Sequence, residues 1–313
     1  MFPRILDFFA GRATLILPLS VAIGLLLPGL AHWLRPTLTP IIFSLLAIAM
    51  IRTDWHGLAG LARRPLRVAA VMIFLLLLLP AAVTLGVDAL GLAPGLALAL
   101  ALMSLCPPIT AAPALAPIIG LHQPLALVVS VGATLAVPLT LPPLALVLLG
   151  LGLQIDVLAL MARLGALVGG ALVVALICRR LLGARLAAAA RPLDGLGVLL
   201  LVVFAIAIFD GVAAQLVADP GMVALFAAAG FAAHIVFNAL GSAIFLWLGL
   251  RQAMTVGFLA GTRNMGLMLA VLPAQTDPAI FLFIATVQFQ IYIMPSALKP
   301  LFGAVFRRFH PGQ

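Results

Sequence analysis

Long apolar stretches separated by short polar loops set the pattern of this chain. Apolar runs lie near residues 12–33, 38–52, 66–87, 94–119, 123–149, 157–180, 195–217, 221–248, 252–273 and 278–303. About 20 mostly apolar residues in helix cross the hydrocarbon core of a bilayer. The pattern therefore predicts ten transmembrane helices. The second run is short and reads as tilted or only partly crossing. The first is long, lacks a polar small-residue cleavage region and leads at once into another run. It reads as a retained span and not as a cleaved signal peptide.

Composition narrows the class. Hydrophobic residues make up 65% of the 313 and charged residues 8%. A soluble domain averages roughly 45–50% apolar and about 25% charged. A water-soluble fold of this size would lack polar surface, and disordered or disulfide-framework chains need a polar or cysteine-rich sequence. The fold class is an all-α polytopic membrane protein. Cys106 and Cys178 lie inside apolar stretches and form no metal spacing.

Charge adds orientation. Lys and Arg total 17 against 8 acids, all of them Asp, for a formal net charge of +9. The basic residues sit in short loops and not on a soluble face, so the partner is the lipid bilayer and not nucleic acid. One set of loops carries Arg4, Arg12, Arg52, Arg63, Arg64, Arg67, Arg179, Arg180, Arg185, Arg191, Arg251, Arg307 and Arg308. The other carries Asp88, Asp156, Asp219 and Asp277, with Arg35 as the exception. Positive loops stay cytoplasmic. The expectation is a multi-pass protein of an inner (cytoplasmic) membrane with both termini inside. Five spans per half, the second half starting outside, gives inverted repeats over residues 1–155 and 156–313, a plan common among secondary transporters.

Two runs are interrupted at matching places. The fourth contains Cys106-Pro107-Pro108-Ile109-Thr110-Ala111-Ala112-Pro113, and the ninth contains Gly261-Thr262-Arg263-Asn264-Met265-Gly266. Proline has no N–H and clashes with the preceding turn, so Pro107-Pro108 forces an opening. Gly261 and Gly266 loosen the other run. A single such kink is often structural, but broken helices in corresponding positions of two halves point to a transport site. The groups freed by the breaks must face protein or a watered cavity. Half-helix N-termini there suit an anion, and carbonyl ends suit a cation. Pro138, Pro142 and Pro143 in the fifth run read as a kink toward its outer end.

Polar residues inside the runs supply the chemistry. Arg263 keeps its charge at any working pH, and its central place costs about 2.5–3.5 kcal/mol on insertion scales. It needs a partner: Asp210, backbone carbonyls, water or an anionic substrate. His234 and Asn238 share a helix face at i and i+4. They read either as an interhelical hydrogen-bond pair or as a substrate-cavity or proton-relay pair, since imidazole titrates near neutral pH. Gln288, Gln290 and Tyr292 interrupt the tenth run, and their spacing keeps all three from one face. Ser130 and Thr134 share a face of the fifth, where such hydroxyls commonly bond their own helix. The candidate substrate- or ion-binding set is Pro108, Thr110, Pro113, Ser130, Thr134, His234, Asn238, Thr262, Arg263, Asn264, Gln288 and Gln290.

Three stretches carry a resemblance: LCPPITAAPALAPIIGLHQPLALVVSVGATLAVPL, GTRNMGL, and the His234 region ahead of WLGL. With the ten spans and paired breaks, the chain resembles the bile acid:sodium symporter family, in a superfamily that also holds arsenite and riboflavin transporters. The resemblance implies a panel of helices 1, 2, 6 and 7 and a core of helices 3–5 and 8–10 in which spans four and nine cross. It implies organic anions, such as bile acids, sulfated steroids or smaller carboxylates, bound between panel and core, and sodium behind the crossing. Sodium-coupled members carry an acid in the span-nine break, Ser-Asn in the span-four break, and a Gln. The matching positions here hold Leu259, Ala112-Pro113 and Arg263, while the span-five hydroxyls remain as Ser130 and Thr134. Losing a carboxylate and gaining a guanidinium repels a cation. The expectation is an organic-anion transporter working by alternating access, with Arg263 in the electrostatic role of sodium, no cofactor, and weak or absent sodium coupling.

Arsenite efflux and a membrane enzyme are rival readings. Arsenite efflux is motivated by Cys106 beside the break. A membrane enzyme would need clustered acids for a metal, but no two Asp lie within one helical turn and there is no Glu. The expectation is therefore not an enzyme.

Overall fold

The computed structural model describes residues 16, 19–53, 55, 65–149, 156–183, 185–272 and 278–309. The start of the first run, Arg4, Arg12, Arg63, Arg64 and Asp277 lie outside them. Among the described residues the chain is nearly all helix, with no strand. Seven helical stretches are long and apolar enough to span a bilayer: Pro28–Arg52, Pro65–Ala89, Gln123–Leu148, Val157–Leu182, Ala190–Ala218, Pro220–Ile244 and Pro278–Arg308. The protein is a multi-pass helical membrane protein.

The elements run as follows. Helix α1 (Pro28–Leu34) joins α2 (Leu38–Arg52) through a 3-10 turn at Arg35–Thr37. Helix α3 (Pro65–Ile73) continues through a π-helical stretch, Phe74–Leu78, into α4 (Leu79–Ala89). Next come α5 (Pro94–Leu105), the short α6 (Ala112–Leu115), α7 (Gln123–Leu149) and α8 (Val157–Leu182). Then follow α9 (Ala190–Ala207), α10 (Val212–Ala218), α11 (Pro220–Ile244), α12 (Leu250–Gly261), the short α13 (Met265–Leu269) and α14 (Pro278–Phe309). Helix α7 stays helical through Pro138, Pro142 and Pro143.

Helices α5 and α12 have 12 residues each. At 1.5 Å per residue each covers about 18 Å, well short of the roughly 30 Å hydrocarbon thickness. Both stop where Pro107-Pro108 and Gly261 stand, and neither can cross alone.

The chain divides into two compact units. One holds residues 1–53, 163–224 and 269–272; the other holds 54–162, 225–268 and 273–313. In the first unit, charged side chains secure helix ends. Arg52 bonds both carboxylate oxygens of Asp194 through Nε at 2.9 Å and Nη2 at 3.0 Å. Arg179 donates to the carbonyls of Ile51 and Thr53 at 2.8 and 2.9 Å, where α2 ends. These carbonyls have no intrahelical donor, and a cation suits them. Asp210 accepts from Arg35 at 2.9 Å, with His32 beside it. Asp210 thus has its cationic neighbours within its own unit.

The second unit contains both interrupted runs. Its core is apolar, with Leu75, Leu79, Leu102, Met103, Leu141, Phe258 and Phe283 all buried. Within it, α11 and α12 approach through glycine. A Cβ built on Gly241 would lie 3.0 Å from the Gly257 Cα, and one on Gly261 would lie 2.7 Å from the His234 carbonyl oxygen. Small residues let membrane helices pack backbone to backbone in this way.

Candidate functional site

The two breaks meet. After Leu105 the backbone turns extended at Cys106, with φ −66° and ψ 149°. After Gly261 it does the same at Thr262, with φ −100° and ψ 91°. The Ile109 N–H donates to the Thr262 carbonyl at 3.0 Å, and the Asn264 N–H donates to the Pro107 carbonyl at 2.8 Å. Pro108 and Arg263 thus form an antiparallel bridge. Each opened segment supplies partners that lipid cannot supply to the other. Pro107 and Pro108 lack an N–H, so the donors fall to Ile109 and Asn264.

Arg263 ties this crossing together. It is fully buried, at 0% exposure. Its Nε donates to the Ala260 carbonyl at 2.7 Å, and Nη1 donates to the Cys106 carbonyl at 2.9 Å and the Leu75 carbonyl at 3.3 Å. Ala260 is in the last turn of α12, and Cys106 caps α5. Both carry helix-terminal carbonyls with no intrahelical donor. The guanidinium therefore sits at the negative ends of both half-helices. Of the partners open to it, the structure selects backbone carbonyls, and among the described residues no carboxylate reaches it. Its Nη2 is buried without a hydrogen bond.

The third carbonyl has a cause of its own. The Leu79 N–H bonds Phe74 O, a residue earlier than in an α-helix. Leu75 thereby loses its usual donor, and the next candidate, five residues on, is Pro80, which has no N–H. The freed Leu75 oxygen goes to Arg263. A π turn inside a membrane helix is frequently functional, and Pro80 is the one sequence signal that could have located it. Pro80→Ala restores the missing N–H. Thermal stability of the purified protein is expected to hold or rise, because an interior proline costs up to about 3 kcal/mol. Transport is expected to fall, because Leu75 O no longer needs Arg263. Equal loss of both would contradict this assignment.

The remaining candidates separate into satisfied and orphaned groups. Thr134 Oγ1 bonds its own helix at Ser130 O, 2.8 Å away. Gln288 Nε2 likewise bonds Ile284 O at 3.1 Å. Buried without partners are Ser130 Oγ, Thr262 Oγ1, Asn238 Nδ2, both ring nitrogens of His234 and both amide atoms of Gln290. Each orphaned buried group costs about 1–3 kcal/mol, and all of these lie in the second unit. His234 faces Gly261 and Gln290 without closing a hydrogen bond to either. Asn238 Oδ1 accepts from Ser242 at 3.5 Å, a marginal contact. Pro108 lies in the bridge; Thr110 and Pro113 follow it, half-buried, and Asn264 contributes its backbone N–H. Cys106 Sγ is hydrogen-bonded to Leu102 O at 3.3 Å and lies 3.6 Å from Met265 Sδ. Among the described residues no cluster of three His, Cys, Asp or Glu could hold a metal ion.

No family model matches this chain, and no curated protein matches it either. Function is therefore read from the crossing itself.

Proposed function

We propose that the protein is a secondary transporter of an organic anion, of the bile acid:sodium symporter type. It works by alternating access, with a guanidinium standing where sodium-coupled members hold their ion. The observation that carries this reading is Arg263, buried and bonded to three backbone carbonyls at a crossing of two broken helices. Carbonyl oxygens gathered at half-helix ends are the ligand set of a transported cation. Here a fixed cation fills it. The unpartnered Nη2 leaves two donors free for an anion or a water.

Ten crossings in two inverted five-helix repeats, with both termini on the cytoplasmic side of an inner membrane, belong to the same proposal. Its support is the placement of the two breaks, each in the fourth run of its half, and the loop charges. The division into units supports it too. Runs one, two, six and seven fall mostly in one unit and the rest mostly in the other, the grouping that the resemblance implies for panel and core. Arsenite efflux has less behind it. Thiolate capture of arsenic takes several sulfurs, and Cys106 has a thioether neighbour and a hydrogen bond to its own helix.

The test is counterflow in liposomes with a mixed set of carboxylates and sulfonates. Exchange of at least one anion is expected, and an imposed sodium gradient should leave its uptake unchanged. Steep sodium dependence would remove the substitute-cation role. Exchange of no anion would remove the transporter reading.

A further inference from the structure

We propose that His234 is the proton site that couples this transporter to a pH gradient, one proton accompanying each monovalent anion. This rests on the transporter reading and names its driving ion.

His234 is fully buried on α11, at the point where α11 meets α12 and α14. Toward α12, a Cβ on Gly261 would lie 3.1 Å from His234 Nδ1. Toward α14, a Cβ on Gly230, one turn before His234, would lie 3.0 Å from Val287 Cγ2. Nδ1 lies toward Gly261, and the Gln290 amide is a further neighbour of the ring. Neither ring nitrogen is hydrogen-bonded, nor is either amide atom of Gln290. A neutral imidazole has one donor and one acceptor, whereas an imidazolium has two donors. The Gly261 carbonyl and Gln290 Oε1 are both acceptors, so a charged ring has a use for both and a neutral ring for one. The carbonyl end of α12 also favours a positive charge.

The surrounding groups do not compete for the proton. From the α12 side the charged groups are the exposed Arg251 at its start and Arg263, two residues beyond Gly261, which three carbonyls engage. From α14 come Gln290 itself, with Gln288 and Tyr292 flanking it in sequence, and the exposed Lys299 farther along. On α11 the neighbour one turn on is Asn238. Asp88 and Asp156 of this unit are exposed, and among its described residues no carboxylate is buried. In this buried set imidazole is the side chain with a free lone pair to take up and release a proton.

The coupling step moves no bond of the substrate. A proton from one aqueous side adds to a ring-nitrogen lone pair and leaves from the same ring on the other side. One positive charge then offsets one anionic charge. The pocket bears on the crossing directly, because Gly261 is the last residue before the break whose Thr262 carbonyl accepts from Ile109.

The experiment uses full-length protein in liposomes with taurocholate, a sulfonate whose charge does not change with pH. An inward proton gradient of two pH units is expected to drive accumulation toward about 100-fold, the limit for one proton per anion at tenfold per unit. His234→Gln is expected to abolish that accumulation and make residual exchange independent of pH. His122→Gln, in the connection between α6 and α7, should keep the gradient response. Where His234→Gln fails to fold, Gln290→Leu removes one acceptor and keeps the ring, and should shift the pH of half-maximal uptake downward. Wild-type exchange that ignores the gradient, a gradient response retained in His234→Gln, or no shift in Gln290→Leu each overturns the proton site and leaves the transporter. Absence of all exchange overturns both.

Discussion

Arg263→Leu is expected to abolish anion exchange while leaving the protein inserted in the membrane. The substitution strands the carbonyls of Leu75, Cys106 and Ala260 in a dry interior. Hydrogen bonds between membrane helices are worth about 0.6–1.7 kcal/mol each, so three bonds amount to roughly 2–5 kcal/mol. The insertion cost of a central Arg, about 2.5–3.5 kcal/mol, falls on the inserted unfolded helix as well as on the folded protein and largely cancels. The thermal midpoint of the purified protein should therefore drop. Arg263→Lys should recover part of the loss, since an ammonium offers three donors from one point but lacks the planar fork. A sharper check follows from the chemistry of the site. Arg263→Gln combined with Leu259→Glu removes the fixed cation and puts a carboxylate one turn before it, on the proposed reading the acid position of the sodium-coupled relatives. That double variant is expected to gain thermal stability on adding sodium chloride but not on adding choline chloride, whereas wild type responds to neither. If the double variant ignores sodium, the guanidinium was not standing in for that ion.

Gly257→Leu is expected to stop α11 and α12 from docking, with loss of monodisperse protein on size exclusion. A Cβ at Gly257 would overlap the Asn238 carbonyl oxygen and Ser242 Oγ. The hydroxyl can rotate away, but the backbone oxygen cannot. Even Gly257→Ala should cost about 1–3 kcal/mol or more, the range of overpacking. The matched control is Gly165→Ala on α8, where a Cβ meets nothing within 4 Å. Exchanging glycine for alanine in an open helix gains about 0.5–1 kcal/mol. Similar stabilities for the two alanine variants would mean that α11 and α12 do not approach through Gly257.

Hydrophobic run length and the local chemistry of proline, glycine and arginine were enough to establish a helical, multi-pass chain, to mark residues 106–113 and 261–266 as interruptions, and to place a permanent charge in one of them. These are properties of short segments, since insertion depends on summed transfer energy and a proline lacks its N–H in any fold. Partner choice is different, because it depends on register and distance between segments far apart in sequence. Only the tertiary structure decided that Arg263 takes carbonyls and that Asp210 takes Arg35. The same applies to Leu75, whose oxygen is free because a π turn meets Pro80 in a run that otherwise reads as uniform leucine. It applies also to Thr134 and Gln288, which spend their donors on their own helices, while His234 and Gln290, equally buried, keep theirs open.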